Sequence, residues 1–198
     1  FSPVLDVARD ARWPRFWETF GEAPQLVSDM GVAMVKGYQE GPAPIAATLK
    51  HYVGYSRPLT GKDRTPAWIP ERQLRQIFLP PFAAAIDAGA ASIMVNSGEV
   101  NGIPVHADHH ILTDILREDL GFEGMVVTDW EDIKYLFKRH KVAANYKDAI
   151  EMAIHAGIDM SMVPGDLKFP GLLMELVREG RVSEARIDES VRRILSMK

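Results

Sequence analysis

The stretch Gly121-Phe-Glu-Gly-Met-Val-Val-Thr-Asp-Trp-Glu-Asp132 decides the fold. Glycine commonly sits just past a helix end, and here one is shortly followed by an apolar run at residues 125–128 that stops on Asp129. A short run with almost no polar alternation suits a parallel strand covered on both faces; a strand with one wet side would alternate. Upstream, Ile111, Leu112, Ile115 and Leu116 recur at helical spacing. The segment therefore reads as helix, turn, buried strand and polar tip.

Working outward, the same unit recurs. Apolar runs at residues 1–8, 45–51, 91–96 and 158–162 read as further buried strands. Between them lie helical patterns. Pro24 opens one, with Leu26, Met30, Ala33 and Met34 on one face and Gly37 as its stop. A second runs from Glu71 through Leu74, Ile77 and Phe78, breaks at Pro80-Pro81 and resumes to Gly89. Another covers residues 146–155, closed by Gly157, and two more fill residues 171–179 and the tail from Asp188.

Strand and helix thus alternate along the chain, which predicts a parallel α/β fold. An open doubly wound sheet and a closed (β/α)8 barrel both fit. A full barrel takes eight strands and about 250 residues, whereas this chain of 198 residues shows roughly five strand–helix units. The expectation is one domain over residues 1–198, an incomplete (β/α)8 TIM-type barrel with its early strand–helix units missing. The opening on Phe1-Ser-Pro-Val-Leu5, without an initiator methionine or a leader, reads as a cut inside a core strand.

Composition narrows the function classes. A formal net charge of -4 argues against nucleic acid and anionic membranes as partners. The most apolar stretch, residues 78–95, carries Pro80, Pro81 and Asp87 and is no membrane span. Without cysteine there can be no disulfide, thiolate metal site or thiol nucleophile.

In parallel α/β folds, functional groups gather where strands end. The first strand here runs into Asp10, Arg12 and Arg15, the second ends in Lys50-His51, the third in Asn96-Ser97-Gly98-Glu99, and the fourth in Asp129-Trp130-Glu131-Asp132. These tips are expected to ring one mouth. Asp129 is a reacting carboxylate, a cap of the next helix or the partner of a lysine. Lys50 suits hydroxyl recognition, Schiff-base chemistry or a plain ion pair, and His51 a donor or base. Arg15 suits bidentate contacts or an ion pair with Asp10 or Glu18. Trp13, Trp68 and Trp130 invite stacking on apolar sugar faces; Trp130, beside Asp129, is placed in the site, while Trp17 and Trp68 are read as packing. His106, His109 and His110 precede a helix and read as packing or surface residues rather than a metal site. HExxH, GxxxxGK[ST] and GxGxxG motifs are absent.

These motifs, in this order, resemble glycoside hydrolase family 3 of the β-glucosidase type over essentially the whole chain. The resemblance rests on the segment from Phe1 through Arg15, Lys50-His-Tyr-Val-Gly54, Leu79-Pro-Pro-Phe82, Asn101-Gly-Ile-Pro104 and Val127-Thr-Asp-Trp130. It implies a retaining mechanism in which Asp129 forms a covalent glycosyl-enzyme, Arg15, Lys50 and His51 hold sugar hydroxyls, and Trp130 walls the subsite. It implies no metal or organic cofactor, a β-linked oligosaccharide or glucoside as substrate, and a periplasmic or secreted setting. The acid/base is expected from a downstream domain outside this chain. Three departures stand out: Pro14 replaces the family's glycine between Trp13 and Arg15, Ser97 stands where many members have tyrosine, and Val53-Gly-Tyr-Ser-Arg57 lacks the Pro-Gly-His-Gly run of the N-acetylglucosaminidase branch. Two further readings stay open: a catalytically incomplete or degenerate carbohydrate-binding barrel, and a Schiff-base lyase using Lys50.

Overall fold

The computed structural model describes residues 1–198. The chain divides into two compact units, Phe1–Val105 and His106–Lys198. Both are α/β.

In the first unit, strand β1 (Thr48–Tyr52) pairs in parallel with β2 (Ser92–Val95), Thr48 opposite Ser92 and Leu49 opposite Ile93. Both strands are buried along nearly their whole length, as parallel pairing under helices requires. The opening segment, expected as a strand, forms only a parallel bridge from Val4 to Lys50. Its backbone tracks β1 through Thr48 N–H to Ser2 O, Lys50 N–H to Pro3 O and Leu5 N–H to Lys50 O. Pro3 has no N–H to extend the ladder, which keeps the pairing short. The second expected strand starts later than its apolar run, and Ile45 lies on the surface.

Helix α1 (Pro24–Gln39) begins on Pro24, whose fixed φ and missing N–H cost nothing at a helix start. It runs through Gly37, the expected stop. It also turns a different face inward than the one expected: Val27, Ser28, Gly31 and Val35 are buried, while Leu26 and Met30 face solvent. The reason is close approach. A Cβ on Gly31 would lie 2.6 Å from Leu5 Cδ2, so glycine lets α1 press onto the opening segment there without displacing the Leu5 side chain. Leu5 is fully buried, a placement that stabilises by about 1.5–3 kcal/mol. The second helical pattern is α2 (Glu71–Gln73), continued by π-helical turns Leu74–Phe78, then α3 (Pro80–Asp87). The π-turns precede Pro80-Pro81, where missing N–H groups interrupt regular α bonding. A hairpin not anticipated from sequence, β3 (Glu99–Val100) with β4 (Ile103–Pro104), turns at Asn101-Gly102. Asn101 secures it by exchanging side-chain bonds with Ile69 N–H and O at 2.8 and 2.7 Å.

In the second unit, a π-helix (His110–Asp119) buries Ile111, Leu112, Ile115 and Leu116, the face expected. Strand β5 (Met125–Val127) follows it. Residues 158–162 lie alongside β5 but form only the bridge Val127–Met160, with Asp159 and Met160 N–H both on Val126 O. Helices α4 (Asp132–Lys138), α5 (Tyr146–Ala156), α6 (Lys168–Arg178) and α7 (Glu184–Met197) complete the unit. Helix α4 is the helix that Asp129 was weighed as capping, though no helical spacing was read there, and α6 and α7 start before their expected positions; Ser183, accepting from Arg186 N–H, caps α7. Under β5, buried Asp159 gathers Arg117 at 2.8 Å, Arg193 at 3.1 Å and the Ser190 hydroxyl at 2.8 Å. No helix is long and apolar enough to cross a membrane.

Candidate active site

The first unit's cluster is built where β1 ends. Lys50 and His51 sit at a slip of register between Leu49 and Tyr52, and the Lys50–His51 peptide bond is cis. His51 is 1% exposed and Asp6 3%. Asp6 Oδ2 accepts both the His51 backbone N–H at 3.1 Å and the ring Nδ1–H at 2.8 Å. A carboxylate can only accept, so the proton stands on Nδ1 and Nε2 is the ring's remaining polar end. Asp6 was missed in the sequence, although one acid inside the apolar run Val4-Leu-Asp-Val-Ala8 was a signal that could have found it.

Arg15 meets Glu18 through two parallel bonds, Nε to Oε1 and Nη2 to Oε2, both at 2.9 Å. This is one of the ion pairs weighed for it. Its guanidinium also lies 5.6 Å from the centre of the Tyr55 ring. The Arg15 bonds and charge, and more weakly the Lys50–His51 strand end, hold the Glu18 carboxyl below its ordinary range. Arg15, Glu18, Lys50 and His51 are therefore electrostatic neighbours. Tyr55 joins them: its ring meets His51 edge-on at 4.8 Å and Trp13 at 5.2 Å. Trp13 is buried and donates from Nε1 to Asp63 at 3.1 Å. Asn96 is spent on structure, donating to Val53 O at 2.8 Å and accepting Gly98 N–H at 2.6 Å.

The second unit's cluster follows β5. Asp129 is 8% exposed, and the backbone N–H of Trp130 donates to its Oδ1 at 2.6 Å. The backbone N–H of Asp129 itself donates to His106 Nε2 at 3.3 Å, and that nitrogen lies 3.7 Å from Asp132 Oδ2. His106 and Asp132 are both buried. Because a backbone N–H only donates, Nε2 carries no proton in this arrangement. His106 is thus neither bland packing nor surface but a direct support of Asp129, a correction to its sequence reading. His109 and His110 do lie at the surface, sharing Asp114. Asp129 does not cap α4: the capping position is Glu131, which makes no side-chain cap bond and takes a left-handed φ of 57°. That conformation is costly for a residue with a Cβ. It is held by Glu131 N–H to Met162 O at 2.9 Å and by Lys134, which pairs with Glu131 at 2.7 Å and Asp166 at 2.8 Å.

Trp130 is 52% exposed, its ring on the surface beside a buried carboxylate. Trp17 and Trp68, read as packing, are also largely exposed, a second correction. The structure thus groups Arg15, Lys50 and His51 in one unit, with Asp6 and Glu18, and Asp129 with Trp130 in the other, with His106 and Asp132.

Residues 1–197 match the family model described as glycosyl hydrolase family 3 N terminal domain. The chain is 55% identical to a lysosomal beta glucosidase of Dictyostelium discoideum, over all of this chain and 25% of that protein. It is 37% identical to a periplasmic beta-glucosidase of Salmonella typhimurium, over all of this chain and 26% of that protein. Among solved structures, a beta-glucosidase from Listeria innocua in complex with glucose superposes with a TM-score of 0.94 at 36% identity, over all of this chain and 28% of that one. The chain therefore spans about a quarter of the length of these relatives.

Proposed function

The chain belongs to the glycosyl hydrolase family 3 N-terminal domains, and we propose that it carries the nucleophile of a retaining β-glycosidase acting on terminal β-linked glucosides. The observation that carries this reading is Asp129: a carboxylate at the tip of a buried strand that accepts the Trp130 backbone N–H, its own backbone N–H held by His106, with an exposed indole next to it.

In the proposed reaction, an Asp129 oxygen attacks the anomeric carbon as the glycosidic bond breaks, and the leaving oxygen takes a proton from a second carboxyl group. Water, deprotonated by that same group, then releases the sugar with its configuration retained. A retaining pair stands about 5–5.5 Å apart. Glu131 is already engaged by Lys134, and Asp132 faces His106, so neither is assigned as proton donor. That donor is assigned to the rest of the longer enzyme, of whose relatives this chain spans a quarter.

Arg15, Lys50 and His51 are the proposed hydroxyl-holding groups, and Trp130 the apolar wall. Pre-paired donors suit this task, because they need no reorganisation as positive charge grows on the sugar ring. Asp6 keeps the His51 imidazole in one tautomer, and Glu18 keeps the Arg15 fork in plane. No cofactor enters the scheme. The parallel strands and intervening helices are read as part of a (β/α)8 barrel, supported by the likeness to the Listeria structure. Relatives named for the lysosome and the periplasm support a non-cytosolic setting. Glucose is preferred over xylose as the sugar because the 55% identical relative is named a glucosidase, while a beta-xylosidase of Formosa agariphila is 37% identical.

The test is mass spectrometry after incubation with 2-deoxy-2-fluoro-β-glucosyl fluoride, whose leaving group needs little acid assistance. A fluoroglucosyl adduct on the peptide carrying Asp129 is expected. An adduct on another residue, or none on either this chain or the longer enzyme, would overturn the assignment.

A further inference from the structure

A polar cavity of about 190 Å³ opens in the first unit, lined by Arg9, Asp10, Arg12, Arg57, Pro58 and Leu59. Three guanidiniums share it with one carboxylate. That carboxylate is committed: Asp10 accepts Arg12 Nε at 2.9 Å and Arg12 Nη2 at 2.6 Å. The same bonds pull its pKa down to about 2, with a weaker contribution from the Arg57 charge, so Asp10 stays ionised as one carboxylate against three guanidiniums.

Arg12 is held as well as paired. Its Nη2 reaches Leu59 O at 3.5 Å, and a Cβ on Gly61 would lie 2.7 Å from Arg12 Cβ. Arg57 is anchored by Nη1 to Trp68 O at 2.8 Å. Arg9 is exposed and makes no hydrogen bond or ion pair. The cavity therefore keeps an uncompensated positive charge, two of its guanidiniums pre-oriented, on a chain whose net charge is -4. A local field opposite in sign to the whole molecule concentrates small anions there. Guanidinium forks match the planar or tetrahedral oxygens of carboxylate and sulfate.

From this geometry we propose that the Arg9–Arg12–Arg57 cavity is a binding site for a small oxyanion, a carboxylate or sulfate group. The site stands independently of the glycosidase reading, but its position indicates a use. Arg12 precedes Trp13, whose ring meets Tyr55, and Tyr55 meets His51. The carboxylate of an acidic sugar is one such oxyanion, with the Trp13 and Tyr55 rings standing between the cavity and His51. A free inorganic anion presents the same oxygens.

Isothermal titration calorimetry at constant ionic strength, with inorganic sulfate and then glucuronate as probes, tests the site. Saturable one-to-one sulfate binding is expected. It should weaken about tenfold or more in Arg57→Gln and be lost in Arg9→Glu, as expected when charge-assisted bonds are removed. Arg9 supports nothing else in the fold, so Arg9→Glu should melt like the parent and still take the fluoroglucosyl label. Competition by glucuronate would identify an acidic sugar as the occupant; sulfate binding without that competition would identify a free inorganic anion. Non-saturable heats, or binding unchanged in both variants, would overturn the proposal, and neither outcome depends on whether Asp129 is labelled.

Discussion

Each unit buries a histidine beside an aspartate, and the two pairs work in opposite directions. In the first unit Asp6 holds a histidine: its carboxylate takes the ring proton on Nδ1 and the backbone N–H of His51. In the second, a histidine holds an aspartate through its main chain: His106 Nε2 accepts the backbone N–H of Asp129, while the carboxylate accepts Trp130 N–H. The difference teaches that a buried imidazole's role follows from what faces it. A carboxylate makes it a donor, and an amide makes it an acceptor.

Asp129→Asn gives the largest effect, because it removes the proposed attacking oxygen anion while keeping the shape. Glycosidase turnover by the longer enzyme should fall roughly 10⁴-fold or more, with no fluoroglucosyl adduct by mass spectrometry. Asp6→Ala comes next. It strands two buried donors, so stability should drop by about 2–4 kcal/mol in urea unfolding. In Asp6→Asn the amide oxygen can still accept, and much of that loss should be recovered. Affinity for substrate should fall more than the rate of Asp129 labelling if the pair serves binding.

His106→Leu should cost about 1–2 kcal/mol, since the Asp129 N–H loses its acceptor. Here the labelling rate should fall more than affinity, the reverse of Asp6→Ala. The same balance of losses in both variants would erase the distinction between the pairs. The smallest effect is the control Ser183→Ala, which removes the α7 cap far from either histidine in sequence. About 0.5–1 kcal/mol of stability should be lost with labelling unchanged.

Much of this architecture was legible in the chain. The apolar runs at residues 91–96 and 125–128 became β2 and β5 almost without adjustment, because a doubly covered strand has little freedom in composition. The face of the π-helix was legible too, since Ile111, Leu112, Ile115 and Leu116 offer one apolar stripe. Helix α1 was not. It carries two candidate stripes, and the one with glycine and serine won because Gly31 admits Leu5. Asp129, Lys50 and His51 stood out because strand tips are where polar residues interrupt an apolar run. His106 and Asp6 did not: one lies in a loop before a helix, the other inside a strand-like run, and each matters only for its partner.

By itself, the sequence determined the alternation of strand and helix, the buried runs and the polar residues at their ends, because these depend on solvent exposure along a local segment. Only the tertiary structure decided which face of α1 turns inward, which histidine supports Asp129 and which guanidiniums are left uncompensated. Those outcomes depend on atoms 23 to 48 residues apart in the chain coming within a few ångströms, and hydrogen bonding and close packing act only at that range.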